Sequence, residues 1–262
     1  MSQKQIKKFL GEGNATINSK RASPHDWVDH EDRLELHDKP LSVLAPNGDV
    51  DCRLIKKTTD YIFFEKGPLV HSVAQGYGET QTAANWLLSI DSGLNTVSHP
   101  LESGLLHRLD HETSGVMVAA RHQKSYQYLK RLFATHAIIK EYHCLVSKEP
   151  PPAGLYTDYS GQKSKNSKKV FLQHRVLTGL TKICTEILSV GQTGVDCYAV
   201  RLKLITGSRH QIRAHLAFLG SPVMGDTLYG GVCAERLMLH ASRLSFITAE
   251  GKTLMGTAKV PF

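Results

Sequence analysis

The chain mixes short apolar runs, period-two strips and one clear helical stripe. Thr59-Asp60-Tyr61-Ile62-Phe63-Phe64-Glu65-Lys66 and Val116-Met117-Val118-Ala119-Ala120 are brief apolar runs bounded by polar residues, which predicts strands. Residues 82–90 predict a short helix. Across residues 122–136, apolar or aromatic side chains recur in the steps 125–126, 128–129 and 132–133, with Lys and Arg on the other face, so a second helix is expected there. Residues 141–146 predict a strand. Tyr198, Val200, Leu202 and Leu204 alternate with Ala199, Arg201 and Lys203, the pattern of a half-buried strand. Residues 15–18 and 33–36 give shorter strand-like pieces between turn residues. The elements follow one another with hairpin-like spacing and no regular βαβ rhythm. This predicts an α+β fold with a mixed, largely antiparallel central sheet flanked by helices. The change of texture divides the chain into a small unit at 1–58, ending in the turn-rich stretch around Lys39-Pro40 and Pro46-Asn47-Gly48-Asp49, and a main domain at 59–262.

Charge sharpens this picture more than overall composition does. Residues 121–182 hold twelve Lys and Arg against three acids, although the whole chain carries only +8. A basic region so localised is the footprint of a phosphate-backbone binder, or else a solvated face that serves solubility. Four of the twelve fall in one low-complexity loop, Lys163-Ser164-Lys165-Asn166-Ser167-Lys168-Lys169. The five cysteines (Cys52, Cys144, Cys184, Cys197 and Cys233) form no Cys-x-x-Cys pair, which disfavours a disulfide framework and a zinc ribbon. His210 and His215 stand five apart, off the spacing that aligns two ligands on one helix face, so no metal is expected. No apolar run nears the roughly 18 residues of a membrane span, and Met1 to Leu10 lacks an apolar secretory core, so the expected address is cytoplasmic with no membrane partner.

Three segments carry chemistry. His107-Arg108-Leu109-Asp110-His111-Glu112-Thr113-Ser114-Gly115 places a carboxylate on a turn ahead of an apolar strand, where a scaffold can hold it while substrate approaches. Taken alone, Asp110 is better read as a turn residue capping backbone amides, and only the further segments tip the balance. Thr206-Gly207-Ser208-Arg209-His210-Gln211-Ile212-Arg213-Ala214-His215-Leu216 has the Ser208/Gln211 spacing of a capping box, which starts a helix whose face is Ile212, Leu216 and Leu219 and which Gly220 ends. Arg213 lies beside that face, splayed to solvent or folded onto a carboxylate. Lys140-Glu141-Tyr142 brings a tyrosine into a strand, either as a core residue with a tethered hydroxyl or as a platform for a base.

Together the segments resemble the RluA family of pseudouridine synthases. The family's His-Arg-Leu-Asp-x-x-Thr-Ser-Gly stands as His107 to Gly115, and its Lys-x-Tyr as Lys140 to Tyr142. Its Thr-Gly-x-x-His-Gln-Ile-Arg-x-His-Leu stands as Thr206 to Leu216. Gly-x-Pro-x-x-Gly-Asp-x-x-Tyr-Gly follows as Gly220 to Gly230, and Leu-His-Ala as Leu239 to Ala241. The resemblance runs over about residues 60–246 in order and spacing, far more than one motif would carry. It departs at Ser208, where many members have Arg, and at Glu65-Lys66-Gly67-Pro68-Leu69-Val70-His71, where the Pro and Gly of the family's upstream segment are reordered.

The resemblance implies isomerisation of uridine to pseudouridine in structured RNA, ribosomal or transfer, by a monomer without cofactor. Asp110 would be the catalytic aspartate, Arg213 its ion-pair partner and Tyr142 the ring that stacks on the target uracil. Arg108 would replace the flipped nucleotide and Leu239 would pack near the base. His107, Thr113, Lys140, Arg209, His210 and Gln211 would complete the RNA contact. Residues 11–36 resemble the end of the small RNA-binding domain, named for a ribosomal protein, that precedes many members' catalytic domains; its initial helices are missing, so the unit reads as degenerate. Isomerisation needs the base extruded from its stack, at a cost of a few kcal/mol. Two other readings compete: a non-catalytic RNA-binding module, which needs no Asp110–Arg213 pair, and a hydrolase pairing Asp110 with His107 or His111, which leaves the other segments unexplained.

Overall fold

The structure, a computed structural model, describes residues 3–11, 13–36, 44–76, 78–99, 101–164 and 166–262. In chain order its elements are α1 (Gln3–Gly11), β1 (Ala15–Ile17), β2 (Lys20–Arg21), β3 (Leu34–Leu36), β4 (Cys52–Lys57), β5 (Tyr61–Lys66), α2 (Ala83–Ile90), β6 (Ser114–Ala120) and α3 (Gln123–Ala134). There follow β7 (Ile139–Val146), β8 (Gly154–Gly161), β9 (Phe171–Gln173), β10 (Thr181–Gly194), β11 (Cys197–Leu204), α4 (Gln211–Phe218), β12 (Leu239–Ile247) and β13 (Thr253–Thr257).

Two compact units emerge, 1–43 and 44–262. The boundary lies fifteen residues ahead of the change of texture at 58/59, because β4 pairs antiparallel with β5 and so belongs to the main sheet. Pro46 to Asp49 accordingly falls inside the second unit, while Lys39 and Pro40 lie outside the described residues. The first unit is a small three-stranded sheet, β2-β1-β3, preceded by α1. That single helix of nine residues stands ahead of the strands, where the sequence shows none of the related domain's initial helices.

In the second unit ten strands run β4-β5-β6-β12-β7-β11-β10-β8-β9, with β13 added on β12. Every pairing is antiparallel except β6 with β12, so the expected mixed and largely antiparallel sheet is what forms. Strand β6 is buried along its whole length, which explains its unbroken apolar run. Thr82 caps α2 through a reciprocal box with Asn85. His122 caps α3 in the same way with Ser125. Helix α4 differs from expectation. Its N-cap is His210, in a left-handed conformation (φ 51°), and Ser208 lies in the turn before it. Gln211 makes half of the predicted box, its Oε1 accepting from the Ser208 amide at 3.0 Å, while the other half is absent.

The single parallel pairing places the site. Gly115 is opposite Ala241, and a Cβ there would stand 2.2 Å from the Ala241 carbonyl oxygen, at a φ of +126° that favours glycine. The Thr-Ser-Gly sequence therefore lets the turn that carries Asp110 enter the sheet hard against β12.

Candidate active site

Asp110 is pinned from three directions. The Leu109 amide donates to Ser72 Oγ at 3.0 Å and that hydroxyl donates back to the Leu109 carbonyl at 2.9 Å. The Thr113 amide donates to the Asp110 carbonyl at 3.1 Å and closes the turn. Behind it the fully buried Lys66 ammonium donates to the carbonyls of Gly67 (2.8 Å), Val70 (2.9 Å) and His111 (3.3 Å). Burial draws this lysine down to about 8, against the opposing pull of Cys52, Asp110 and Glu112. The segment from Glu65 to His71 thus supports the Asp110 turn from below, a role the reordered Pro and Gly gave no hint of.

Arg213 meets the turn from α4. Its side chain is 3% exposed, and its Nη1 donates to Asp110 Oδ2 at 3.4 Å and to Glu112 Oε2 at 3.3 Å. Of the two possibilities left by sequence, splayed or folded inward, the second holds. The closer partner is a different acid. Arg213 Nε and Nη2 donate to the two oxygens of Asp226 at 2.7 and 3.0 Å, a bidentate pair with no exposed atom on the carboxylate side. Burial works against the guanidinium charge, but Asp226, Asp110 and Glu112 outweigh it and hold Arg213 firmly cationic. Tyr229 packs its ring 5.7 Å from the guanidinium carbon, and its hydroxyl accepts from the Val170 amide at 3.0 Å and pairs with His210 Nδ1 at 3.1 Å. Burial keeps the His210 ring below its ordinary range against the pull of Asp110, with Arg213 and Arg209 adding to the depression.

Tyr142 stands in the middle of β7, between Ala241 of β12 and Leu202 of β11. It is 7% exposed. Burial holds its phenol well above the ordinary range, and the charge on Asp110 adds to the effect, so the hydroxyl stays protonated. Leu239 and Thr113 are buried near the same end of the sheet, and the Thr113 hydroxyl has no hydrogen-bond partner among the described residues.

The other residues singled out from sequence divide by what their polar atoms do. Arg108 and Arg209 are exposed, though Arg209 also donates to the carbonyls of Ser167 and Lys168, both at 3.2 Å. Lys140 Nζ donates to the Thr206 carbonyl at 3.1 Å, and burial lowers it to about 8. Gln211 receives Thr206 Oγ1 at 2.8 Å and donates to the Cys184 carbonyl and Thr185 Oγ1, each at 3.0 Å. These two side chains fasten the start of α4. His107 Nε2 accepts from the Val118 amide at 3.1 Å, and the ring stacks on Phe133 at 5.1 Å. Its acceptor is engaged away from Asp110, which removes His107 as the base of a hydrolytic pair.

His107 gives a pH prediction. Burial, with help from Lys140, depresses its ring from 6.5 to about 3. Below pH 6.5 an unfolded chain takes up this proton and the folded chain does not, so stability falls on acidification from about 6.5 towards 3. The slope is at most about 1.4 kcal/mol per pH unit for this one group. Urea unfolding of His107→Gln, whose amide oxygen can still accept from Val118, is expected to show a shallower loss between pH 6.5 and 4.5 than the parent. Equal slopes would remove His107 from the acid response.

Asp226 and Glu112 were missed by sequence reasoning. Asp226 was visible as the acid of Gly-Asp-x-x-Tyr-Gly, but nothing in its spacing from Arg213 tells that the two meet. Gly225 helps to bring them together: at φ +78° it packs so closely that a Cβ would lie 1.9 Å from the Arg236 carbonyl oxygen.

An acid and a buried guanidinium converge at the end of a mixed sheet, with a protonated tyrosine on β7, an arrangement suited to nucleophilic or acid–base chemistry. Residues 60–218 match the model of the RNA pseudouridylate synthase family, and the chain belongs to that family. It is an RNA pseudouridine synthase, an isomerase that converts uridine in RNA. The chain is 28% identical to ribosomal large subunit pseudouridine synthase C of Rickettsia felis over 274 residues, covering 100% of this chain and 90% of that protein. It is 28% identical to ribosomal large subunit pseudouridine synthase D of Vibrio cholerae over 244 residues, covering 88% of this chain and 69% of that one. Among solved structures, human RNA Pseudouridylate Synthase Domain Containing 4 superposes with a TM-score of 0.64 at 23% identity, over 80% of this chain and 88% of the other, a likeness of fold. Among the described residues no helix is long and apolar enough to cross a membrane.

Proposed function

We propose that Asp110 is the catalytic carboxylate of this synthase, with Arg213 its partner and Tyr142 the residue that receives the flipped uracil, and that the substrate is RNA of the large ribosomal subunit. The reading rests above all on one observation: Arg213 reaches Asp110 at 3.4 Å across a sequence separation of 103 residues. In the reaction the bond from C1′ of ribose to N1 breaks, the uracil turns, and C1′ bonds to C5. The C5 proton is lost and N1 is protonated, so no redox partner or group donor enters. Asp110 serves as nucleophile or as base on the sugar or the uracil. Arg213 holds it in place, and the half-open setting of Asp110, 24% exposed, suits a group that must meet a base.

RNA contact is assigned to Arg108, Thr113, Arg209, His210 and Leu239 around the acid, with His107, Lys140 and Gln211 shaping the elements that present them. The exposed Lys163, Lys168 and Lys169 continue the basic surface beyond Arg209. Phosphate contacts of this kind fix register and give salt-dependent affinity without reading bases. The names of the relatives support the large-subunit substrate. A cytoplasmic monomer is part of the same proposal.

The test is a map of pseudouridine positions in large-subunit and transfer RNA from cells with and without the gene, with the purified protein then supplied to the RNA. Loss of one or more large-subunit positions, restored by the protein without change of RNA mass, is the expected result. Loss confined to transfer RNA would overturn the substrate assignment.

A further inference from the structure

We propose that Asp226 is a positioning residue for the reaction: it orients Arg213 and takes up most of its charge, so that the arginine serves Asp110 as a directed donor and not as a full counter-ion. The inference rests on the reading of Asp110 and Arg213 above and concerns a residue beyond the 60–218 span that the family model matches.

The geometry argues it directly. A guanidinium presents its side-on edge, Nε with one Nη, as a fork that matches a carboxylate, and here Asp226 occupies that edge with bonds of 2.7 and 3.0 Å. Nη1 faces the turn, and its contacts to Asp110 and Glu112 are longer, at 3.4 and 3.3 Å. Asp226 is itself held rigidly, its Oδ1 also accepting from the amides of Leu228 (3.0 Å) and Tyr229 (3.1 Å), with the whole carboxylate out of reach of solvent. Arg213 therefore cannot turn its bidentate edge to Asp110 without stripping a buried acid of its partner. Tyr229, fixed through Val170, closes the remaining side of the guanidinium.

The charges facing Asp110 follow from the same arrangement. Arg213 and His210 come from α4 and its cap, Tyr142 from β7, Lys66 from the end of β5, Tyr229 and Asp226 from the segment after α4, and Glu112 from the turn itself. Asp226 cancels the nearest positive charge and Glu112 adds a like charge on the same nitrogen. Both leave less of the arginine's charge directed at Asp110 than an isolated acid–arginine pair would.

Without the Asp226 charge, the side-on edge of Arg213 is free to turn onto Asp110 and draw its carboxylate out of line with the substrate. In Asp226→Asn, kcat should fall on the order of 10- to 100-fold, the scale of a misplaced catalytic contact, with KM changed far less. Asp226→Glu, which keeps the charge and the paired carboxylate, should recover much of that loss. Glu112 is 44% exposed, so Glu112→Gln folds readily and carries the test if Asp226→Asn does not; its kcat should fall in the same sense. Parental kcat in both neutral variants, alongside an inactive Asp110→Asn, would overturn this inference and leave the Asp110 assignment standing. Turnover by Asp110→Asn would remove both together.

Discussion

Asp110→Asn is expected to abolish isomerisation while the protein keeps its fold and binds RNA within a few-fold of the parent. The substitution preserves shape and removes a charge that is 24% exposed. The turn does not depend on that side chain, because Ser72, Lys66 and the Thr113 amide grip its backbone. Arg213 keeps its principal partner in Asp226, so no buried charge is orphaned. The stability change should thus stay within about 1 kcal/mol, the scale of surface ion pairs. Activity is read as pseudouridine formed in a labelled transcript, affinity by fluorescence anisotropy and fold by thermal melting. A correctly folded variant with substantial turnover would end the case for Asp110 as nucleophile or base.

Arg213→Met is expected to be the opposite kind of lesion, losing both activity and stability. Asp226 has no exposed atom, and without the guanidinium its carboxylate retains only the amides of Leu228 and Tyr229. Breaking a buried pair from one side costs about 3–5 kcal/mol, because the other charge stays behind. Glu112 and Asp110 would also face each other with no cation between them. Denaturant unfolding measures the loss. Arg213→Met combined with Asp226→Leu should recover much of the stability and none of the activity, which separates the structural role of the pair from its chemical one. A single variant as stable as the parent would contradict the buried bidentate geometry.

The contrast between these two variants comes from exposure. Asp110 and Arg213 are equally prominent in their motifs, and sequence singled out both. What it could not tell is that the acid's carboxylate is partly open, on a turn held through its backbone, while the arginine is sealed in and anchored elsewhere.

Much else was legible from local pattern. The helices α2 and α3, the strands β5, β6, β7 and β11, and the mixed, largely antiparallel sheet follow from period and from turn residues, both of which are short-range properties. The boundary between units was not, because β4 is mostly exposed and carries few apolar residues to mark it as part of the sheet. The start of α4 shifted from Ser208 to Gln211 for a related reason. Gln211 is drawn to Thr206, Cys184 and Thr185, tertiary partners that override the local capping preference.

Sequence alone determined the family resemblance and the order of the motifs, and it singled out Asp110, because reacting groups need particular residue types at fixed places along a strand or turn. Only the tertiary structure decided who pairs with whom. Asp226 claims the carboxylate-matching edge of Arg213, Glu112 shares its last nitrogen with Asp110, and His107 and Gln211 turn inward to hold backbone. Such pairings depend on how far apart groups lie once the sheet has closed, and on the desolvation that burial brings, neither of which is written in the spacing of letters along a chain.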